Sequence, residues 1–344
     1  MGFSRQGQGT IWAARRFLDA EVWVAKLSKA LVVAGAACGL AAVNARLERG
    51  GGALSSPLGG ETRHFRWRGG DLAYAVAGEG DPLVLVHGIH AGASSFEFRK
   101  NFAELSRSFR VYALDLLGCG LSERPRRRYG PEDVAAQVED FVREEIGART
   151  HLVASSLSGA LCVPALVRSP RLFNRVVLVC PTGYGSLNRR SGYLGDAIYG
   201  LFLAPVIGDS LYHLIVSRRG IRYYLGRIAY HDGRLVTDEL VERYHRVAHQ
   251  KGARYLPAAF VSGKLNLGLA DYWPRVPHPT LVCWGQEART PPFSEVEEFV
   301  RRNPRSEPRV FRNAALLPHD ERAETFNGEA REFLKSARGA SRRS

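Results

Sequence analysis

The sequence predicts an α/β fold: a mostly parallel, eight-stranded sheet flanked by helices and interrupted by a helical cap. From residue 63 onward, strand-like and helix-like segments alternate, which is typical of a parallel sheet covered by helices. The predicted strand at residues 83–86 is entirely apolar, as expected when both faces of a strand are buried. The alternation stops between about residues 183 and 275, where tyrosine-rich, helix-forming segments predict an insertion over the carboxyl edge of the sheet.

Each element follows from a local pattern. An antiparallel hairpin is predicted at residues 64–68 and 72–76, split by two glycines. Further strands are predicted at residues 83–86, 110–114, 151–154, 176–179, 280–284 and 309–311, and helices at 96–105, 131–145 and 157–168. The chain is thereby divided into a basic and apolar segment (1–50), a first part of the core (51–182), the cap (183–275), a second part of the core (276–336) and a basic tail (337–344).

Composition narrows the classes of partner. The 344 residues suffice for one large domain with an insertion, and 45% of them are hydrophobic. The formal net charge of +14 comes largely from arginine clusters without interleaved aromatic rings, so no nucleic-acid partner is expected. The charge is best interpreted as a solvated surface rich in arginine, and an acidic membrane surface is the alternative partner. Five cysteines, without the spacing of a metal or redox site, do not predict a disulfide framework.

The N-terminal segment contains an unbroken apolar run at residues 30–43, preceded by several arginines and lysines. The run is shorter than the roughly 17–25 residues that span a bilayer, but residues 27–45 reach that length if Lys29 extends to the interface. We expect membrane association through residues 27–45, and therefore a membrane-anchored protein. A cleaved signal peptide or a helix packed on the domain is the alternative, with an exported or a cytoplasmic location.

Residues 151–160 have the sequence HLVASSLSGA, which predicts a strand, a sharp turn centred on Ser156 and a helix. A nucleophile elbow has this form, with small residues two positions to either side, here Ala154 and Ser158. The start of the helix supplies amide donors and a partial positive charge. We predict that Ser156 is a nucleophile; an ordinary strand-to-helix turn with a capping serine is the alternative.

A second loop is expected to face this elbow. Residues 85–92 have the sequence LVHGIHAG, a strand that ends in His-Gly. The backbone amide of Ile89, together with that of Leu157, would form an oxyanion hole beside Ser156.

With these pieces in place, residues 63–336 resemble the α/β-hydrolase superfamily of capped esterases, dehalogenases and carbon–carbon hydrolases. The segments that carry the resemblance are HGIHAG, DLLGCGLSERP, ASSLSG, PTLVCWGQEARTPP and LLPHDERAETFN. They are highly specific for the fold and weakly specific for the substrate. The resemblance implies the α/β-hydrolase fold, no metal and no organic cofactor.

Two catalytic positions of that family are replaced in this chain. The acid that normally follows the seventh strand corresponds to Ala288, and the catalytic histidine corresponds to Leu316. The surviving His319 matches a second histidine that usually supports the loop. Because a serine nucleophile needs an adjacent base, ordinary triad chemistry would be severely impaired. His90 and His319 are the candidate substitute bases, and Glu287 is the candidate substitute acid.

Three functions follow from these residues. The first is hydrolysis of an apolar ester or lipid-like small molecule by Ser156 with a non-standard base. The second is a non-catalytic pseudo-hydrolase that binds a hydrophobic ligand or a protein partner in the capped pocket. The third is a cofactor-free lyase that uses the same pocket. The expected partner is a small hydrophobic molecule.

Overall fold

The computed structural model describes residues 34–185 and 187–336. Residues 27–33 of the expected membrane anchor and the basic tail at 337–344 lie outside the described residues. The chain divides into two compact units, residues 1–47 and 48–344. Residues 34–50 form helix α1, and its part within the first unit exposes Leu40 and Val43. Among the described residues, no single helix is both long and apolar enough to cross a membrane.

The second unit is built on one sheet whose eight strands have the order β1-β2-β4-β3-β5-β6-β7-β8 within the described residues. Strand β2 pairs antiparallel with β1 and with β4, and the other neighbouring pairs are parallel. The strands are Glu61–Trp67, Gly70–Ala77, Pro82–Val86, Arg110–Leu114, Thr150–Ser155, Phe173–Val179, Thr280–Gly285 and Ser306–Phe311, numbered β1 to β8. The predicted sheet is confirmed, because wholly apolar runs such as Leu83–Val86 are indeed buried in its interior.

Helices cover this sheet. Those of the core are α2 (Phe102–Ser106), α3 (Pro131–Asp140, continued by a π-type turn at Phe141–Ile146), α4 (Ser156–Arg168), α10 (Glu295–Arg302), α11 (Pro318–Glu321) and α12 (Ala323–Lys335). Those between β6 and β7 are α5 (Tyr193–Leu203), α6 (Ile207–Ile215), α7 (Arg218–Tyr224, continued by a π-type turn at Leu225–Ala229), α8 (Asp238–Ala248) and α9 (Tyr255–Val261). We refer to the chain between β6 and β7 as the cap.

The continuous helix predicted at residues 96–105 is wrong. Residues Ser95–Phe98 form a 3-10 turn, and an α-helix begins only at Phe102. Side chains and backbone groups of this segment bond to distant elements instead: the Ser95 amide donates to Asp115 at 2.6 Å, and the Asn101 amide group donates to the carbonyl of His319 at 2.7 Å. Such bonds compete with helical hydrogen bonding, and they turn Glu97 inward.

Asp115 fixes the turn that follows β4. Its carboxylate also accepts the amide of Leu121 at 2.7 Å, and a Cβ on Gly120, whose φ is +50°, would lie only 2.0 Å from this carboxylate. Only glycine fits there. Asp115 thus joins the turn after β4 to the segment that carries Glu97.

A buried carboxylate links the cap to the core. Asp320 of α11 lies 2.5 Å from the guanidinium of Arg99 and 2.9 Å from the ammonium of Lys100, and it accepts a hydrogen bond from the hydroxyl of Tyr230 in the cap. Burial would raise the pKa of Asp320, but Arg99, Tyr230 and Lys100 outweigh it and hold the pKa below its usual range. Neighbouring Glu321 also binds the cap, because it accepts the amide of His231 at 2.9 Å.

We predict that Asp320→Asn lowers the free energy of unfolding by about 2 kcal/mol at neutral pH, since one partner of a largely buried ion pair is removed. The lowered pKa of Asp320 means that this stabilisation is present above the pKa of the unfolded carboxyl group and is lost as the pH falls through the folded pKa. The difference in the free energy of unfolding between wild type and variant should therefore become smaller at acidic pH, and urea unfolding measures this difference. The control is Asp71→Asn, which removes an exposed ion pair with Arg66 and should change the free energy of unfolding little.

Candidate active site

Ser156 lies at the junction of β5 and α4, at the carboxyl edge of the sheet. Its φ is +52°, in the left-handed region that non-glycine residues adopt at a cost of about 1–2 kcal/mol. The small residues Ala154 and Ser158 are fully buried on either side of the turn. A Cβ on Gly159 would lie 3.3 Å from the Ala154 carbonyl oxygen, so the turn leaves little space there. This geometry is that of a nucleophile elbow.

The loop after β3 passes directly beside the elbow. A Cβ on Gly88 would lie 3.2 Å from the Cβ of Ser156 and 3.3 Å from Oε2 of Glu97, so the backbone approaches both side chains closely. The next residue in this loop is Ile89, which is buried. Leu157 is the second residue of α4, and the first four amides of a helix have no partner within it. The oxyanion hole formed by the amides of Ile89 and Leu157 stays a prediction.

Glu97 places an ionised carboxylate next to the elbow. Its side chain is almost entirely buried; Oε2 accepts the Gly88 amide at 2.9 Å, and Oε1 lies 3.2 Å from Nε2 of His319. Nε2 of His90 lies 3.9 Å from Oε2. Burial would raise the pKa of Glu97, but His319, His90 and the Ser155 hydroxyl outweigh it and lower the pKa to about 2. Glu97 is therefore charged at neutral pH.

Glu97 was not predicted as a site residue from the sequence. It belongs to none of the recognised motifs, and it lies within the helix predicted at residues 96–105. The available signal was an acid flanked by two aromatic residues, Phe96 and Phe98.

The two histidines of the loop after β3 differ in the hydrogen bonds that their ring nitrogens make. In His87, Nε2 accepts the Leu116 amide at 3.1 Å and Nδ1 lies 2.7 Å from the Gly88 carbonyl oxygen, so both nitrogens are occupied. In His90, Nδ1 lies 3.1 Å from the carbonyl oxygen of Ala91. Because a carbonyl only accepts, Nδ1 carries the hydrogen, and Nε2 is left to act as a base on the side that faces Glu97.

The ring of His90 is held by the cap. It stacks on Tyr244 with centroids 5.3 Å apart and nearly parallel planes, and Tyr224 lies against it at 5.5 Å. Burial lowers the pKa of His90, although the charge of Glu97 opposes the shift. An imidazole in this position is neutral near pH 7.

His319, the other candidate base, is completely buried. Its ring packs against Phe98 and Phe326, with centroids 5.2 and 5.7 Å away, and its Nε2 faces Glu97. These contacts make His319 a support for the Glu97 carboxylate.

An apolar cavity of about 160 Å³ in the cap reaches His90. Helices α5, α6, α7 and α9 form its walls. The lining residues are His90, Ala91, Phe202, Tyr212, Ile215, Val216, Gly220, Ile221, Tyr224, Pro257, Phe260 and Val261. With so few polar groups on its walls, the cavity suits a hydrocarbon group.

The two positions predicted to be replaced, Ala288 after β7 and Leu316 before α11, are both buried and apolar. Their equivalence to the catalytic acid and histidine of the family stays a prediction. Glu287, the candidate substitute acid, accepts the amide of Ala314 at 3.0 Å, and the Glu287 amide donates to the Ala314 carbonyl at 3.1 Å. The Leu316 amide donates to the carbonyl of Ala229 in the cap at 3.1 Å. Glu287 thus holds the loop that precedes α11.

Within residues 34–185 and 187–336, no group of three or more histidine, cysteine, aspartate or glutamate side chains could hold a metal ion. The cysteines that lie in the core are buried thiols, and burial raises the pKa of Cys162 to about 12.

Comparison with known proteins places these features in context. The model of the family described as "Alpha/beta hydrolase family" matches residues 83–329. A 2-hydroxy-6-oxo-2,4-heptadienoate hydrolase from Pseudomonas putida is 31% identical over 239 residues, which cover 67% of this chain and 79% of that protein.

Two solved structures are similar in fold. One is a serine hydrolase involved in carbazole degradation, with a TM-score of 0.66, 22% identity, and coverage of 80% of this chain and 98% of that one. The other is a membrane phospholipase A described as a bacterial virulence factor, with a TM-score of 0.66, 23% identity, and coverage of 95% and 100%. At these identities the likeness concerns the fold alone.

The strained backbone at the elbow gives a direct prediction. Both Ser156→Gly and Ser156→Ala remove the hydroxyl group, but only glycine adopts a φ of +52° without steric cost. We expect the glycine variant to be more stable than the alanine variant by about 1 kcal/mol in urea unfolding. An alanine variant as stable as the glycine variant would show that the turn carries no strain.

Proposed function

The chain belongs to the alpha/beta hydrolase family, and from that premise we propose that it is a serine hydrolase of an apolar ester or lipid-like small molecule. Ser156 is the nucleophile, and Nε2 of His90 is the base in place of the histidine replaced by Leu316. The observation that carries the proposal is the ionised Glu97, buried beside the elbow and directed at both His90 and His319. Burying a charge costs several kcal/mol unless nearby groups compensate for the lost hydration. If the Glu97 carboxylate had no function, an apolar residue at this position would make the fold more stable.

Two observations favour His90 over His319 and His87. His90 lines the apolar cavity, whereas His319 is enclosed by phenylalanine rings. The Nδ1 of His90 is directed to a backbone carbonyl, which leaves its Nε2 unprotonated, whereas His87 uses both nitrogens. A histidine oriented by one nitrogen and free at the other has the form of a general base.

In the proposed reaction, the hydroxyl oxygen of Ser156 attacks the carbonyl carbon of the ester and Nε2 of His90 takes the hydroxyl proton. The carbonyl oxygen becomes an oxyanion that accepts hydrogen bonds from the amides of Ile89 and Leu157. The carbon–oxygen bond to the alcohol then breaks, and the alcohol leaves with the proton from His90. A water molecule, deprotonated by His90, releases the acid and restores Ser156.

Glu97 would stabilise the imidazolium that forms during each proton transfer. The acid of an ordinary triad offsets this charge from the opposite ring nitrogen, Nδ1. Glu97 instead lies 3.9 Å from Nε2, and the carbonyl of Ala91 orients Nδ1. Here the carboxylate comes from the segment after β3, while the position after β7 is held by Ala288. Glu97 is itself fixed by the Gly88 amide and by His319.

The substrate class follows from the cavity walls. The groups that meet a ligand next to His90 are mainly aliphatic and aromatic side chains of the cap. We therefore propose an acyl or other hydrocarbon group in the cavity, with the ester carbonyl at Ser156.

A pseudo-hydrolase that binds a hydrophobic molecule is the second candidate. The apolar side chains of Ala288 and Leu316 at the two replaced positions favour it. It keeps the cavity and the elbow but predicts no covalent chemistry at Ser156.

We expect purified protein to react with a fluorophosphonate probe and to hydrolyse aryl esters, and expect Ser156→Ala to abolish both. His90→Gln should lower kcat by about a thousandfold or more, since the nucleophile loses its base. The matched control is His64→Gln, an exposed histidine on β1 that should leave kcat unchanged. Absence of labelling in folded protein between about pH 6 and 9 would support the pseudo-hydrolase instead.

The pH profile tests Glu97 separately. A base must be unprotonated, so the rate should fall as the pH drops through the pKa of His90, which lies below its usual value. Glu97 raises this pKa, so Glu97→Gln should move the acid limb of kcat/KM to lower pH while it also reduces kcat. Glu104→Gln, in the exposed pair with Arg107, is the control. A variant with reduced kcat but an unmoved acid limb would make Glu97 a purely structural residue.

A further inference from the structure

The cap carries nearly all of the exposed apolar surface of its unit. Eight large apolar side chains are exposed there, on helices α5, α6, α7 and α9. Within the described part of residues 48–344, the only other exposed large apolar side chain is Val310 on β8. Single exposed apolar residues are ordinary, but several of them on neighbouring helices favour an interaction site, and α5 contacts α6 and α9 while α6 contacts α7. We call this set the cap face: Tyr193, Leu194, Leu201, Ile207, Leu214, Ile215, Tyr223 and Val261.

Helices α5 and α6 supply most of the cap face. Taken together they have the length and hydropathy of a membrane-spanning segment, but they are bent by 98° at the break between them. Their carboxylates are neutralised by ion pairs: Asp196 lies 2.7 Å from Lys264, and Asp209 lies 3.0 Å from Arg254. The helices therefore present apolar side chains without uncompensated negative charge.

Arginines border the cap face at both ends of this helix pair. Arg189 and Arg190 precede α5, and Arg218, Arg219 and Arg222 follow α6; all five are exposed. Arg190, Arg218 and Arg222 also form surface ion pairs with Glu132, Glu242 and Asp238. Arg219 lies one turn before Tyr223 on α7, so a positive charge is next to an exposed ring. Apolar side chains bordered by arginine are typical of surfaces that bind anionic lipid.

The cap face is continuous with the cavity. Ile215 and Val261 are exposed members of the cap face, and both also line the cavity that reaches His90. A hydrocarbon chain could thus pass from the outer surface of the cap to the candidate active site without crossing a polar layer.

We propose that the cap face docks on a bilayer that contains anionic phospholipid, and that apolar ligands enter the cavity from that bilayer between Ile215 and Val261. A second copy of this chain suits the cap face less well, because both copies carry a net charge of +14 and the bordering arginines would repel each other. Docking does not require hydrolysis; only the identity of the ligand as a substrate rests on the proposed function. Docking is also independent of residues 27–45.

A local probe tests this surface in the full chain. Leu214→Cys is made in a Cys38→Ser background, because Cys38 is exposed and the other four cysteines are buried. The new cysteine carries an environment-sensitive fluorophore, and the protein is mixed with phosphatidylcholine vesicles that contain about 30% phosphatidylglycerol. The matched control carries the same fluorophore at Val310→Cys, the exposed apolar position outside the cap.

If the cap face docks, the fluorescence emission of the fluorophore at position 214 should shift to shorter wavelength and be quenched by lipids with brominated acyl chains. The fluorophore at position 310 should show neither effect. Arg219→Gln in the labelled protein should weaken partitioning about fivefold, whereas Arg66→Gln on β1 should not change it. Ser156→Ala should leave the blue shift intact, so loss of activity and loss of docking are distinguishable.

Two outcomes would overturn the proposal. In the first, the protein sediments with the vesicles, but the emission spectrum of the fluorophore at position 214 is the same as without vesicles. This result would assign membrane binding to another segment. In the second, the spectrum shifts without vesicles and in proportion to protein concentration, which assigns the cap face to contacts between copies.

Discussion

The buried charge of Glu97 is the constraint on which the rest of the candidate site depends. The carboxylate accepts the Gly88 amide and faces His319, so it joins the loop after β3 to helix α11. An ionised group in this environment costs several kcal/mol unless every nearby donor is aligned with it. The bonds of Ser95 to Asp115 and of Asn101 to His319, which interrupt the helix predicted at residues 96–105, leave Glu97 directed inward to the Gly88 amide. Loop, turn and α11 are therefore parts of one electrostatic arrangement.

At the other side of the sheet edge, Ala288 after β7 and Leu316 before α11 are the two positions predicted to replace the family's acid and histidine, and both side chains are buried. Nearby carboxylates bind the backbone: Glu287 accepts the Ala314 amide at 3.0 Å, and Glu321 accepts the Ala315 amide at 2.6 Å. The loop that precedes α11 is thus well held. The ionised carboxylate next to the elbow comes instead from Glu97, in the segment after β3.

The cap combines two kinds of contact. Toward the core it is fixed by polar bonds to α11, above all the hydroxyl of Tyr230 on Asp320, and by the stacking of Tyr244 on His90. On its outer side it exposes apolar side chains that a water-soluble surface would not need. The cap is thus fixed to the core on one face and exposes apolar side chains on the other. A partner could therefore bind the outer face while the candidate site beneath the cap keeps its structure.

The sequence by itself determined what depends on neighbours along the chain. Apolar runs placed the strands, the small residues around Ser156 placed the elbow, and short motifs predicted that Ala288 and Leu316 are replacements. The tertiary structure alone decided the inward position of Glu97, the different hydrogen bonds and packing of His87, His90 and His319, and the interruption of the helix predicted at residues 96–105. These features depend on contacts between residues far apart in sequence, such as Asn101 and His319, which are 218 positions apart. Local pattern carries no information about such pairs, because only folding brings them within hydrogen-bonding distance.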